Sequence, residues 1–261
     1  MSGGMIMKID FHVHQPGRLG DGNYPYRSED YIKFMDKHGI DISVMLTIDG
    51  FWQNPVACND YLFEWSVSFP DRLVPFCTVD PRKVGADKEV ERCVTKLGMR
   101  GVKFHNWLQG FSPLETFMAP ICEAAEALGI PLFFHDGTPP YSSPLQIAEL
   151  AARHPKLKVI LGHAGLHDLW PEAIAAGRRH HNVYLCMCAT PPFAMEQIVA
   201  QVPLEQIVFG TDGGLFHIAE QPYVDYRFRE FDALEIPMTV KDRILGSNAL
   251  RLLGRPVEER R

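Results

Sequence analysis

Ile9-Asp10-Phe11-His12-Val13-His14 is a short apolar run that closes on two histidines. Residues two apart on a strand project to the same face, so Asp10, His12 and His14 are expected on one side and Ile9, Phe11 and Val13 on the other. Two imidazoles then converge at a strand end with an acid below them. The run, read as Met7–His14, has seven counterparts: Ile42–Ile48, Leu73–Val79, Gly101–His105, Pro131–His135, Val159–His163, Val183–Cys188 and Ile207–Thr211. Segments with helical periodicity separate them: Glu29–His38, Val56–Ser68, Asp87–Leu97, Leu114–Leu128, Pro144–Arg153, Trp170–Arg179 and Ala194–Gln201, with Tyr223–Leu234 and Val240–Leu253 after the eighth run. Ser28 and Ser143 read as N-caps, and Gly39, Gly98 and Gly129 as stop signals. Strand–helix units of ~30 residues repeated eight times build a parallel sheet that can close on itself. The expected fold is an α/β (β/α)8 TIM barrel occupying 1–261 as one domain, with an open doubly wound sheet as the runner-up.

In such a barrel, residues at the C-terminal strand ends face the ligand. The fifth run ends Phe133-Phe134-His135-Asp136-Gly137, the sixth Leu161-Gly162-His163-Ala164-Gly165 and the eighth Phe209-Gly210-Thr211-Asp212-Gly213. Each leaves an imidazole or a carboxylate just before a glycine-containing turn. Unpaired buried polar groups are costly, so four strands ending this way imply a shared partner, and a divalent cation is the economical one. Imidazole and carboxylate ligands suit zinc, manganese, iron or nickel, and an open coordination position marks a catalytic site. The expected ligands are His12, His14, His135 and Asp212, with Zn2+ the first choice of metal and Mn2+ the second. His163 is then placed as a catalytic base or to orient water, or as a ligand of a second metal.

Composition narrows the function classes. The 26 basic and 32 acidic residues leave a net charge of −6, which gives no electrostatic footprint for nucleic acid. No apolar stretch approaches the ~18 residues of a membrane span, and no signal peptide opens the chain. The reading is a cytoplasmic protein acting on a small molecule. Six cysteines without a C-x-x-C pair read as reduced core thiols. Cys186 and Cys188, two apart on one run, share a face that fits either plain packing or a soft metal.

The I-D-F-H-V-H opening, the histidines closing the fifth and sixth runs, the G-T-D ending of the eighth, and Leu245-Gly-Ser-Asn-Ala-Leu-Arg-Leu-Leu-Gly254 together resemble the amidohydrolase superfamily. The nearest branch is the amidohydrolase-related group, which includes aminocarboxymuconate semialdehyde decarboxylase, resorcylate-type decarboxylases and lactone hydrolases. The resemblance implies a distorted eight-stranded barrel, a mononuclear metal on His12, His14, His135 and Asp212, His163 as the catalytic sixth-strand histidine, and a homodimer. Binuclear relatives carry a carboxylated lysine on the fourth strand. Lys103 stands two residues before His105, so it fits either that role or a buried cation paired with Asp10 or Asp80.

His105, Trp107, Tyr141 and His167 are expected to touch substrate, with Gln109 and Phe111 extending an apolar wall. His217 is a further loop candidate, and Arg18, Arg227 and Arg229 are candidate carboxylate clamps. His38, His154, His180 and His181 read as helix C-terminal caps. The first functional expectation is hydrolysis of an ester, lactone or amide by metal-activated water, with Asp212 or His163 taking the proton. The alternative is non-oxidative decarboxylation of an aromatic or muconate-like acid. A non-catalytic metal-binding barrel is the third reading.

Overall fold

The computed structural model describes residues 7–15, 27–214 and 222–257. Every apolar run becomes a strand: β1 (Ile9–His14), β2 (Ile42–Leu46), β3 (Leu73–Phe76), β4 (Val102–Phe104), β5 (Leu132–Phe134), β6 (Val159–Leu161), β7 (Val183–Met187) and β8 (Ile207–Phe209). Most stop one to three residues short of the apolar run. His105, His135, His163 and Asp212 consequently lie just past the strand ends.

The helices are α1 (Ser28–His38), α2 (Pro55–Ser66), α3 (Ala86–Thr95), α4 (Asn106–Gln109), α5 (Ala119–Leu128), α6 (Pro144–Arg153), α7 (Trp170–Arg179), α8 (Pro192–Gln201), α9 (Pro222–Asp232), α10 (Met238–Asp242) and α11 (Asn248–Leu252). Ser143 caps α6 by accepting from the Gln146 N–H at 3.3 Å. Ser28 does not cap α1; it lies inside the helix, and Arg27 holds the cap position without a side-chain bond. The short α4 was not anticipated, because four residues are too few to show periodicity. The last periodic segment is broken into three pieces by a π-helical stretch at Arg243–Ser247.

The parallel ladders form two blocks, β1-β2-β3 and β4-β5-β6-β7-β8. At one junction Cys77 pairs with Val102, and the Lys103 N–H donates to the Cys77 carbonyl at 2.7 Å. At the other, Val13 pairs with Gly213; the His14 N–H donates to Gly213 at 2.7 Å and the Asp212 N–H to the His12 carbonyl at 2.9 Å. Eight strands in chain order therefore run round a distorted barrel whose two seams are held by single bridges.

Phe11, Phe76 and Phe133, from β1, β3 and β5, meet edge-on with centroids 6.2–6.3 Å apart, and Cys186 of β7 packs in the same cluster. This is a layer of side chains from alternate strands, the usual filling of a barrel interior. Each ring is fully buried, worth about 1.5–3 kcal/mol apiece. The layer forms the floor on which the strand-end groups stand. Among the described residues no helix is long and apolar enough to cross a membrane.

Candidate metal centre

β1 supplies two groups of the centre. A register shift between Asp10 and Val13 interrupts its pairing with β2, and such a bulge re-aims side chains beside a site. The three polar groups consequently do not act as one row. Asp10 is taken by β8: its Oδ2 accepts from the Thr211 hydroxyl at 2.6 Å and its Oδ1 from the Thr211 N–H at 2.9 Å. Burial pushes this carboxyl up to about 7 against those bonds. Asp10 thereby fastens the strand carrying His12 to the strand leading to Asp212.

His12 donates through Nδ1–H to the Gly162 carbonyl at 2.9 Å, which leaves a lone pair on Nε2. That atom lies 3.3 Å from Asp212 Oδ1 and accepts from the Lys103 ammonium at 3.2 Å. His14 Nε2 reaches the same Asp212 oxygen at 3.1 Å, while its Nδ1 is buried without a partner. Burial lowers both imidazoles, His12 well below its ordinary value, so they enter the centre neutral. Burial alone would raise Asp212, but the hydrogen bond from His14 and the nearby His12 and His163 together outweigh it and hold the carboxyl well below the usual range.

A neutral Nε2 lone pair and a carboxylate oxygen at 3.3 Å are both acceptors. They repel unless positive charge lies close, and the Lys103 ammonium, 3.2 Å from that nitrogen, supplies part of it. The ligand atoms of His12, His14 and Asp212 all lie within 4.8 Å of one another, and two imidazoles with a carboxylate are a donor set for a first-row divalent cation. The residues present fit a metal. Backbone shape is part of the device: Asp212 itself has a left-handed φ of 65°, and a Cβ on Gly214 would stand 1.7 Å from the His14 carbonyl oxygen.

His135 departs from the expected arrangement. Its Nε2 bonds to the Thr138 hydroxyl and its ring stacks on His105 with centroids 3.7 Å apart. It lies next to His163, at 4.5 Å between centroids, but outside the cluster of ligand atoms. His163 is buried in the mouth, 4.7 Å from His12 between ring centroids, and its Nδ1–H donates to the Cys188 carbonyl at 3.2 Å. Burial pushes this imidazole down to about 4. Asp136 holds the turn beneath it, Oδ1 accepting from the His163 N–H and Oδ2 from the Gly165 N–H, both at 2.6 Å. Spacing gives no signal for that clamp, because its donors come from a loop 27 and 29 residues away.

Lys103 is fully buried. It pairs with neither Asp10 nor Asp80: Asp80 binds Arg82 at 2.8 Å, and the Lys103 ammonium lies against His12 and 4.2 Å over the Phe133 ring. Burial lowers it to about 8. At the rim, His105 is half-buried and Trp107, Tyr141 and His167 are exposed. Gln109 and Phe111 do not line a wall: the Gln109 amide bridges the His105 N–H and the Val79 carbonyl, and Phe111 packs on Phe104. An aromatic surface not foreseen comes from the loops after β2 and β3. Phe51, 5.6 Å from the His105 ring, lines a cleft of ≈ 490 Å³ with Trp52, Val79, Arg82 and Lys83.

The clamp candidates also differ from expectation. Arg227 is spent on the Thr190 carbonyl and Glu230, and Arg229 is exposed on α9. Arg18 and His217 lie outside the described residues. His38 binds Asp225 and His154 faces Glu126 at 3.5 Å; neither approaches the mouth, nor do His180 and His181.

A parallel barrel with paired strand-end histidines and an eighth-strand carboxylate defines a class of metal-centred enzyme. The amidohydrolase family model matches residues 9–255, and the chain belongs to that family. It is 22% identical over 272 residues to 2-amino-3-carboxymuconate-6-semialdehyde decarboxylase of Dictyostelium discoideum, covering 85% of this chain and 75% of that one. It is 28% identical over 286 residues to gamma-resorcylate decarboxylase of Rhizobium sp. (strain MTP-10005), covering 85% of each. Among solved structures, the dihydroxybenzoic acid decarboxylase of Polaromonas sp. JS666, with bound manganese, superposes with a TM-score of 0.74 at 18% identity over 96% of this chain and 97% of that one. The relatives by sequence remove a carboxyl group. Hydrolysis, the first expectation, is corrected on that finding.

Proposed function

We propose that the chain is a metal-dependent, non-oxidative decarboxylase of a small aromatic or muconate-like acid. The observation that carries this reading is the convergence of His12 and His14 Nε2 on Asp212 Oδ1, in a family whose curated relatives here are decarboxylases. His12, His14 and Asp212 would hold one divalent cation, Mn2+ or Zn2+, with His135 next to the set. When bound, it supplies positive charge for the substrate carboxylate and a neighbouring hydroxyl oxygen.

The chain's own groups do the rest. The Lys103 ammonium adds positive charge to a water-poor mouth, which favours an anionic acid. The bond between the ring carbon and the carboxylate breaks, its electron pair stays on the carbon, and carbon dioxide leaves. A proton must replace it. His163, anchored through Nδ1, carries its lone pair on Nε2 and relays a proton from the substrate hydroxyl or solvent to that carbon. The rim of His105, Trp107 and Tyr141, with Phe51 beyond it, offers ring faces to an aromatic substrate.

The test is carbon dioxide release from dihydroxybenzoates and carboxymuconate-type acids by the chain loaded with Mn2+ or Zn2+. Release is expected from at least one acid, lost in His12→Ala and lowered by about 10²–10⁴ in His163→Ala. A fully metal-loaded chain that releases none from the whole panel contradicts the proposal.

A further inference from the structure

A second group of donor atoms shares the mouth. His12, His163 and Cys188 each offer a ligand atom within 4.8 Å of the other two, and all three residues are buried. Cys188 follows β7 and is fully buried, on the wall facing β1 and β6. Tetrahedral coordination at about 2.0–2.3 Å sets ligand atoms roughly 3.3–3.8 Å apart, so a small rotation of side chains closes the group on an ion. We infer that these residues form a separate site for a soft, thiophilic cation such as Cd2+, and that filling it excludes an ion from the His12, His14 and Asp212 set.

Exclusion follows from hydrogen bonding. His12 commits Nδ1–H to the Gly162 carbonyl, so Nε2 is the one nitrogen it can offer to either set. A ring nitrogen has a single lone pair and binds one metal. The mouth therefore holds one ion in one of two positions, and donor softness chooses between them. Oxygen and imidazole suit Mn2+ and accept Zn2+, whereas a thiolate draws the softer Cd2+ or Cu(I). Binding there forms a sulfur–metal bond and releases the Cys188 thiol proton to solvent. It also commits the His163 imidazole to the metal. A thiophilic ion thus acts as an inhibitor, whatever reaction the mouth performs.

The experiment titrates the metal-stripped full chain with Cd2+ and follows the thiolate-to-metal charge-transfer absorption. A band rising to a limit at one equivalent is expected, together with release of previously bound Mn2+, read from the spin-resonance signal of the free ion. Mn2+ alone gives no band. Cys188→Ser should remove the band and weaken Cd2+ binding by about tenfold or more, while Cys186→Ser keeps it. X-ray absorption of the Cd2+-loaded wild-type chain, which needs no variant, should show one sulfur and at least two nitrogen neighbours. The proposal is overturned by a wild-type spectrum without sulfur, by a band that survives Cys188→Ser, or by Cd2+ and Mn2+ binding together at two equivalents.

Discussion

Asp136 shows how one carboxylate can set the position of a neighbour's imidazole without touching it. It accepts from two backbone N–H groups of the turn after β6, at His163 and Gly165, across a gap of 27 and 29 residues. Bonds to a charged acceptor are worth about 1.5–3 kcal/mol each, and a neutral amide in its place keeps one acceptor and brings an unwanted donor. Asp136→Asn is therefore expected to lower stability by about 1–3 kcal/mol in denaturant unfolding and to lower kcat while leaving metal content unchanged. Loss of the metal with kcat per bound metal intact would contradict that positioning role. That the His12 and His14 rings come to one point was expected from the H-x-H spacing taken together with the endings of the fifth, sixth and eighth runs. His135 was expected in the same set, and in the structure its Nε2 bonds to the hydroxyl of Thr138, three residues on. A bond of that kind depends on turn geometry that spacing does not encode. Lys103 was legible as buried but not as a neighbour of His12, because that contact spans 91 residues.

At the scale of elements, the β1–β8 seam determines whether the centre exists. It is held by one bridge, the backbone bonds of His12 and His14, and the Asp10 clamp on Thr211. Gly214 has a φ of 86°, and a Cβ there would collide with the His14 carbonyl at 1.7 Å. Gly214→Ala is expected to open the seam, abolishing tight metal binding and lowering the melting temperature; unchanged metal affinity by calorimetry would contradict the account of this seam. The floor below has its own test. Phe133→Ala empties a ring-sized space beneath Lys103 and should cost about 3–5 kcal/mol, read as a shift in the denaturant midpoint. The alternation of eight strands and their helices was legible because apolar runs and 3.6-residue periodicity are local properties. Strand ends were overestimated because an apolar residue past the last ladder bond looks the same in sequence as one within it. The bulge in β1 and the π-helical break at Arg243–Ser247 arise from packing against other elements and leave no periodic trace.

Across the whole molecule, α2 and α3 are tied to the barrel by a polar cluster at the loop after β3. Asn59 of α2 exchanges two 2.9 Å bonds with the Thr78 backbone after β3 and donates to Glu89 of α3, which also binds Arg92 at 2.7 Å. Burial would raise the Glu89 carboxyl, but Arg92 and Asn59 outweigh it and hold the carboxyl below its ordinary value. Stability from this tie is therefore complete above the unfolded glutamate value of about 4.3 and is lost as pH falls through the lower folded value. Glu89→Gln should lower stability at pH 7 and flatten the acid limb below about pH 4, followed by circular dichroism; an unchanged acid limb would contradict it. The proposed function is that one cation-centred mouth exchanges a carboxylate for a proton. Turnover of a carboxyl-labelled dihydroxybenzoate in heavy water enriched in oxygen-18 tests it most directly. The account predicts labelled carbon dioxide and a product carrying one deuterium at the vacated ring carbon, with no heavy oxygen bonded to carbon. Full metal loading with no labelled carbon dioxide, or a product without deuterium at the vacated carbon, would contradict it.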